Sequence, residues 1–266
     1  MYYAEDQGFF QRAGINVQIE QMRGGAAIAA AVAAGSLDIG GANPLAIAQA
    51  RARNIPFVVV APGAYFESAT ARQFLVVAKD SPIRSGKDLN GKIIGVSSLG
   101  GVDNLAAAAW VDRNGGDLAS VKLVEAVPSA MVDELEQGRI AAATLNDPYL
   151  TAAGPRVRVL GDCYGAIANR YYQSAWFSTP DSIARKPDAM HRFAEAIAAA
   201  GDWSVANPQA AAAVLEKYFK VREAKTTLKF ARGLDPAMIQ PILDSAYTYK
   251  LIPAQVPATT MLWSGK

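Results

Sequence analysis

Residues 15–45 have the sequence INVQIEQMRGGAAIAAAVAAGSLDIGGANPL, and the expected architecture of the chain is built on this segment. Apolar and polar residues alternate over residues 15–19, which is the pattern of a half-buried strand. An alanine-rich segment follows as far as Ala34, and Gly35 is the expected end of that helix. A buried strand is then expected over residues 37–42. The stretch therefore predicts one strand–helix–strand unit.

The same order returns about a hundred residues later, over residues 121–149. A strand is expected to Ala126, then a helix that Gly138 ends, then a strand over residues 140–145. Because two similar α/β units imply two similar lobes, the sequence predicts a two-lobed α/β protein.

The amino-acid composition narrows the classes of protein to which this chain can belong. The chain has 266 residues, of which 51% are hydrophobic, enough for one large core or two smaller ones. Its 26 Lys+Arg and 24 Asp+Glu nearly balance without a basic run, so nucleic acid is not expected as a partner. The alanine-rich segments are interrupted well before the roughly 20 apolar residues that a bilayer requires.

Cysteine and histidine are too few for several kinds of chemistry. One Cys excludes an internal disulfide and a cysteine-based metal cluster, and one His weakens the case for most metal sites and for a Ser-His-Asp triad. We therefore expect no metal, no cofactor and no catalytic residues. His191 is given no role.

The lobe boundaries are expected where the chain becomes polar. The connector over residues 80–92 separates two groups of expected strands, and from Asp188 onward the pattern is helical. The first lobe is therefore expected to combine residues 1–78 with 180–266. Residues 79–179 form the second lobe.

Several segments resemble the substrate-binding proteins of ABC importers in the nitrate, sulfonate and taurine group, whose family also takes in thiamine-pyrimidine-precursor binders. The resemblance covers nearly the whole chain. Its most specific parts are AEDQGFF at residues 4–10, AGINV at 13–17, AAGSLDIG at 33–40 and the connector at 81–92. It implies a type II periplasmic-binding-protein fold, with two α/β lobes joined by a two-crossing hinge and a ligand cleft between them.

The chain departs from the family pattern at two places. Residues 146–149 are Asn-Asp-Pro-Tyr where the family usually has a Trp-Glu-Pro-Tyr type of turn, so a ligand cannot be carried over from relatives that keep the Trp. Family members also begin with a signal segment and a strand before the helix over residues 5–10. The resemblance therefore implies a gene start placed too late or a trimmed sequence.

The loop from Ser97 to Gly101 is the first candidate for ligand contact. It lies between an expected strand and an expected helix, so the Ser97 and Ser98 hydroxyls and the backbone N–H groups could hold an anionic group at the positive helix end. The alternative is an ordinary serine N-cap. It is not a phosphate loop, because neither nucleotide-binding glycine motif occurs.

Further candidates lie in the turns of the two repeated units. Gly24 and Gly25 could expose backbone donors or form a plain tight turn. Asn43 and Asn146 could each turn an amide toward a ligand or simply cap a helix. Asp147 could accept a hydrogen bond from a ligand N–H, which would favour a heterocycle or an amine; if the ligand is an anion, Asp147 must point away or pair with a cation.

Aromatic and cationic candidates follow the expected strands. Tyr65 and Tyr171 are the aromatic residues chosen to sandwich a flat ligand, with Tyr65 expected in a loop; the other aromatics are assigned to the core. Arg170 is the best candidate for a carboxylate or sulfonate because of its forked donors, with a solvated surface arginine as the alternative.

The function expected from the resemblance is that of a monomeric receptor that binds a small molecule and delivers it to the membrane permease of an ABC importer. Sulfonates, nitrate, small carboxylates and pyrimidines remain open as ligands. The resemblance implies a periplasmic or lipid-anchored location. The alternatives are an enzyme of the thiamine-pyrimidine-precursor synthase type, which would need a Cys-rich motif and active-site His residues, and a ligand-sensing domain without transport.

Overall fold

The computed structural model describes residues 1–22, 25–70, 73–219 and 229–265, and the chain folds into two units. Unit 1 comprises Met1–Phe66, Tyr171–Leu243 and Ala254–Lys266. Unit 2 comprises Glu67–Arg170 and Asp244–Pro253. This division differs from the expected lobes, because residues 67–78 belong to unit 2, residues 171–179 belong to unit 1, and residues 244–253 make a separate excursion into unit 2.

The described residues contain the following helices and strands. The helices are α1 Tyr2–Asp6, α2 Phe9–Arg12, α3 Gly25–Ala33, α4 Pro44–Arg51, α5 Val102–Arg113, α6 Met131–Glu136, α7 Tyr149–Ala153, α8 Pro180–Arg185, α9 Pro187–Ala206, α10 Pro208–Phe219 and α11 Gln240–Thr248. The strands are β1 Gly40–Ala42, β2 Val58–Pro62, β3 Ala64–Glu67, β4 Gln73–Ala78, β5 Ile93–Val96, β6 Lys122–Glu125, β7 Ala142–Asn146, β8 Val157–Gly161, β9 Arg170–Tyr172, β10 Ala175–Ser178 and β11 Lys229–Phe230. The expected mixed α/β class is confirmed.

Unit 1 is built on a sheet with the strand order β1-β10-β2, in which β10 runs antiparallel to both neighbours. Helices α1, α2, α9 and α10 enclose its main apolar cluster, which contains Tyr3, Phe10, Phe193 and Val214. The Phe10 and Phe193 rings are stacked with their centroids 5.7 Å apart. The long helix α9 thus anchors the two short N-terminal helices.

Unit 2 is built on a five-stranded sheet with the order β6-β5-β7-β4-β8. Strand β5 runs parallel to β6 and β7, whereas β4 runs antiparallel to β7 and β8. It follows that β5, β6, β7 and β8 all point the same way and end at one edge of the sheet. Helix α5 is buried from Leu105 to Val111.

The strand expected over residues 15–19 does not form. Residues 15–22 belong to no helix or strand, and β1, which begins only at Gly40, pairs with β10. Residues 15–18 and 36–39 instead line a cavity of about 340 Å³ within unit 1. Half-buried and exposed residues alternate over residues 15–20, but this segment pairs with no strand among the described residues.

Three other segments differ from expectation. Tyr65 lies in β3 and not in a loop, because Ala64 and Tyr65 pair with β11. The helical pattern expected from Asp188 onward is interrupted at residues 229–230, which form β11. Beyond β11, residues 236–238 form a 3-10 turn that the Asp235 side chain caps.

Within the part of the chain that the structure describes, every helix is too short or too polar to pass through a lipid bilayer.

Candidate functional site

The carboxyl edge of unit 2 is the surface where β5, β6, β7 and β8 end, and open α/β sheets bind their ligands at such an edge. Glu125 ends β6, Ser97 follows β5, Asp147 follows β7 and Asp162 follows β8. Three of the four residues carry a carboxylate, and a fourth carboxylate, that of Asp103, lies in the first turn of α5. The edge is therefore rich in hydrogen-bond acceptors.

Three backbone N–H groups of the loop over residues 97–101 donate to acceptors of this chain. The Leu99 N–H donates to Glu125 Oε2 at 3.2 Å, and the Gly100 N–H donates to Asn104 Oδ1 at 3.2 Å. The Gly101 N–H donates to the Ser98 carbonyl at 3.3 Å. An anion in this loop would have to displace these acceptors, so the geometry offers little support for the anion-holding loop that the sequence suggested.

Asp103 joins two segments of the edge. Its Oδ2 accepts a hydrogen bond from Ser97 Oγ, and its Oδ1 accepts one from the Tyr164 hydroxyl. Burial raises the pKa of the Asp103 carboxyl, while the hydrogen bonds from Tyr164 and Ser97 act in the opposite direction. Since Asp103 is in the first turn, the positive end of α5 already faces a carboxylate of this chain.

Asp162, which follows β8, also accepts hydrogen bonds with both of its carboxylate oxygens. Its Oδ2 accepts from Ser68 Oγ at 2.5 Å, and its Oδ1 accepts from the Gly165 N–H at 2.7 Å. A Cβ on Gly165 would lie 2.3 Å from Asp162 Oδ2 and 2.7 Å from Ser68 Oγ. Gly165 is therefore needed for the close approach of this loop to the carboxylate.

The turn after β7 contains two of the predicted site residues. Asn146 is exposed and lies opposite Gln73 of β4. Asp147 is also exposed; its Oδ1 accepts from the Thr151 N–H at 3.2 Å and from Thr151 Oγ1 at 2.6 Å, and its peptide bond to Pro148 is cis. The Asp147 side chain thus stabilises the start of α7 while lying at the carboxyl edge.

In unit 1 the structure brings two predicted residues together around the start of α4. Asn43 caps this helix, with Oδ1 accepting from the Ala46 N–H at 2.8 Å. Gly25 begins α3, and a Cβ on it would lie 3.9 Å from the Ala46 Cβ. Gly24 lies outside the described residues. The capping role foreseen for Asn43 is confirmed, and contact with a ligand stays a prediction.

The predicted aromatic and cationic residues lie on β3 and β9. Tyr65 is half-buried, and Arg170 is exposed. Tyr171 has no exposed surface, and its ring centroid lies 5.1 Å from that of Phe66. A fully buried ring presents no face to a ligand in this conformation, so the geometry gives the choice of Tyr171 no support.

Sequence reasoning missed Asp103, Glu125, Asp162 and Ser68, and it did not choose Tyr164 from the aromatic residues that it considered. One signal for the carboxylates was present in the chain: Glu125 is the last residue but one of the strand expected to Ala126. No group of His, Cys, Asp and Glu side chains among the described residues is arranged to hold a metal ion.

Comparisons with known proteins agree with this architecture. A family model described as NMT1/THI5 like matches residues 1–211. A protein of Brucella abortus (strain 2308), provisionally described as a binding protein, is 24% identical over 233 residues, covering 86% of this chain and 70% of that protein.

Solved structures show the same fold at low identity. The periplasmic aliphatic sulphonate binding protein SsuA from Escherichia coli has a TM-score of 0.79 at 19% identity, over 99% of this chain and 88% of that chain. The desulfurization enzyme DSZB has a TM-score of 0.70 at 17% identity, over 98% of this chain and 92% of that chain. The chain therefore has the periplasmic-binding-protein fold, which both binding proteins and an enzyme share.

Proposed function

We propose, from the premise that this chain belongs to the NMT1/THI5-like family, that it is the solute-binding receptor of an ABC importer. It binds one small organic molecule and delivers it to a membrane permease, acting as a monomer outside the inner membrane. The fold supports this, because periplasmic binding proteins close around their ligands by hinge motion. No covalent chemistry is required of such a receptor.

The ligand we propose carries hydrogen-bond donors, as an aminopyrimidine or another amine-bearing heterocycle does. One observation carries this choice: at the carboxyl edge of unit 2, carboxylates, an amide oxygen and a carbonyl already accept from the loop N–H groups and from the hydroxyls. A sulfonate or carboxylate would meet acceptors and like charges there. Ligand N–H groups would find partners.

A binding screen tests this ligand class. We expect 4-aminopyrimidine derivatives to raise the melting temperature, since a ligand at a thousand times its Kd stabilises the folded state by about 4 kcal/mol. Ethanesulfonate, nitrate and acetate are expected to produce no shift at equal concentration. Stabilisation by ethanesulfonate alone would contradict the proposed ligand class, and no shift with any of these compounds would contradict the receptor function in this form.

An enzyme function is less well supported by the residues of this chain. Cys163 is the only cysteine and is fully buried, and burial raises its pKa, so the reactive thiolate is disfavoured. The only histidine, His191, packs on Trp263 with ring centroids 4.3 Å apart in unit 1. The buried Cys163 thiol is not placed to serve as a nucleophile at the carboxyl edge of unit 2, and the ring contact of His191 lies within unit 1.

Substituting Asn43 by Asp tests whether unit 1 also contributes to the site. Asp caps helices about as well as Asn, so the stability of α4 should change little. If the Asn43 amide donates to the ligand, Asn43→Asp removes that donor and adds a charge, and we expect the affinity for a bound aminopyrimidine to change at least fivefold by calorimetry. Unchanged affinity would restrict Asn43 to capping.

A further inference from the structure

We propose that Asp103 is a positioning residue, which holds the hydroxyl protons of Ser97 and Tyr164 so that both hydroxyl oxygens present only lone pairs to the ligand. This rests on the proposed function, because it takes the carboxyl edge of unit 2 as the surface that contacts the ligand. The preference of the site for ligands that donate hydrogen bonds would then come from the direction in which the two hydroxyl protons point, as well as from the negative charge of the carboxylates.

The hydrogen bonds carry this assignment. Ser97 Oγ donates to one carboxylate oxygen of Asp103, and the Tyr164 hydroxyl donates to the other. A hydroxyl has one proton and two lone pairs, so a hydroxyl whose proton is held can only accept from a further partner. Ser97 is exposed and Tyr164 is half-buried, so neither residue belongs to the buried core of unit 2.

The three side chains come from separate segments that only the fold brings together. Ser97 follows β5, Asp103 lies in the first turn of α5, and Tyr164 lies in the segment after β8. Asp162 repeats the arrangement with Ser68, whose hydroxyl it accepts at 2.5 Å. With Thr151 Oγ1 donating to Asp147, four hydroxyls of the described carboxyl edge have their protons held by three carboxylates.

Asp103→Asn is the informative variant, because it should reverse the direction of one of the two hydrogen bonds and not merely remove that bond. Asn has nearly the shape of Asp, but its side chain offers one acceptor oxygen and one donating NH₂ group. Only one of the two hydroxyls can still donate to residue 103, so the other must turn its proton outward. Since burial disfavours the Asp103 charge, we expect the neutral variant to fold.

The helix offers a matched control at its other end. Tyr249 donates its hydroxyl to Asp112 Oδ2 at 2.8 Å, and burial together with this bond raises the pKa of Tyr249 to about 12. Asp112 lies nine positions after Asp103 on α5, or about 13 Å along the helix at 1.5 Å per residue. Asp112→Asn therefore disrupts the same kind of bond away from the carboxyl edge.

The first test needs no ligand. Tyrosine ring-carbon NMR of the full chain would be followed against pH, with the Tyr164 signal assigned as the one missing in Tyr164→Phe. We expect Tyr164 to ionise at a lower pH in Asp103→Asn than in the wild type, because the accepting charge is gone, and to be unaffected by Asp112→Asn. An unchanged Tyr164 titration in Asp103→Asn would overturn the proposal.

The second test uses 4-aminopyrimidine as the probe. We expect Asp103→Asn to weaken its binding at least tenfold, whereas Asp112→Asn should change it less than twofold. Equal affinity in the wild type and Asp103→Asn would also overturn the proposal. If the wild type does not bind the probe, the proposed ligand class fails, and the titration of Tyr164 still decides whether Asp103 holds that proton.

Discussion

Phe193→Ala is expected to destabilise unit 1 by about 3–5 kcal/mol, the usual loss when a buried phenylalanine is truncated in a core. Only 3% of Phe193 is exposed. Its ring stacks on Phe10 of α2 at 5.7 Å and meets Trp176 of β10 edge-on at 5.6 Å. The truncation would therefore leave a cavity where α9 packs against both an N-terminal helix and the sheet. Urea unfolding followed by tryptophan fluorescence measures the loss.

Phe219→Ala provides the control for that experiment. Phe219 is 47% exposed, and its ring makes one edge contact with Tyr2 at 4.9 Å. The same truncation should therefore change the free energy of unfolding by less than about 1 kcal/mol. If Phe193→Ala were no more damaging than Phe219→Ala, α9 could not be the element that holds the N-terminal helices in unit 1.

Elements whose ends are set by local chemistry could be predicted from the sequence. Asn43 and Pro44 begin α4 as expected, with the Asn43 side chain accepting from the Ala46 N–H. Gly35 and Gly138 lie just beyond α3 and α6 and have φ values of +74° and +67°, a conformation that glycine adopts at little cost. Such signals need no information about the rest of the chain.

Strands that depend on a distant partner could not be predicted in the same way. Residues 15–19 have the alternating pattern of a strand, yet they belong to none, because a strand needs a neighbour and the pattern does not supply one. Tyr65 shows the opposite error. It was expected in a loop but lies in strand β3, because residues 64–65 pair with residues 229–230, far along the chain.

The candidate site shows a third limit of prediction from the sequence, which concerns where the hydroxyl and N–H protons are donated. The sequence placed Ser97 after β5 correctly, and from the Ser97 and Ser98 hydroxyls and the loop N–H groups it offered an anion site or an ordinary serine N-cap. In the structure, oxygens of Glu125, Asn104 and Asp103 accept the loop and serine protons. Whether a hydroxyl or N–H is free to bind a ligand depends on neighbours that a local motif does not contain.

The connector at residues 80–92 illustrates the same limit for domain boundaries. Its polar composition suggested a division between lobes, but it belongs to unit 2 throughout. There Gly86 packs against the end of α5, and its N–H donates to the Asn114 carbonyl at 3.1 Å. The polar residues on the exposed side of the connector do not reveal that a glycine on its other side is buried against the end of a helix.

Gly86→Ala is accordingly expected to destabilise unit 2 by about 3 kcal/mol, at the upper end of the usual loss from overpacking. A Cβ at this position would lie 2.4 Å from the Val111 carbonyl oxygen and 2.8 Å from that of Asn114. Both are backbone atoms, so no side-chain rotation relieves the clash. The φ of Gly86 is −61°, which alanine adopts easily, and the whole effect is therefore steric.

Gly115→Ala separates this steric effect from backbone strain. Gly115 has a φ of +79°, and a Cβ added there would have open space around it to 4 Å, so alanine meets only the left-handed penalty of about 1–2 kcal/mol. Thermal unfolding of both variants should show the larger loss for Gly86→Ala. The reverse order would mean that the connector can move away from α5 at little cost. The packing of Gly86 would then not hold the end of the helix that carries Asp103.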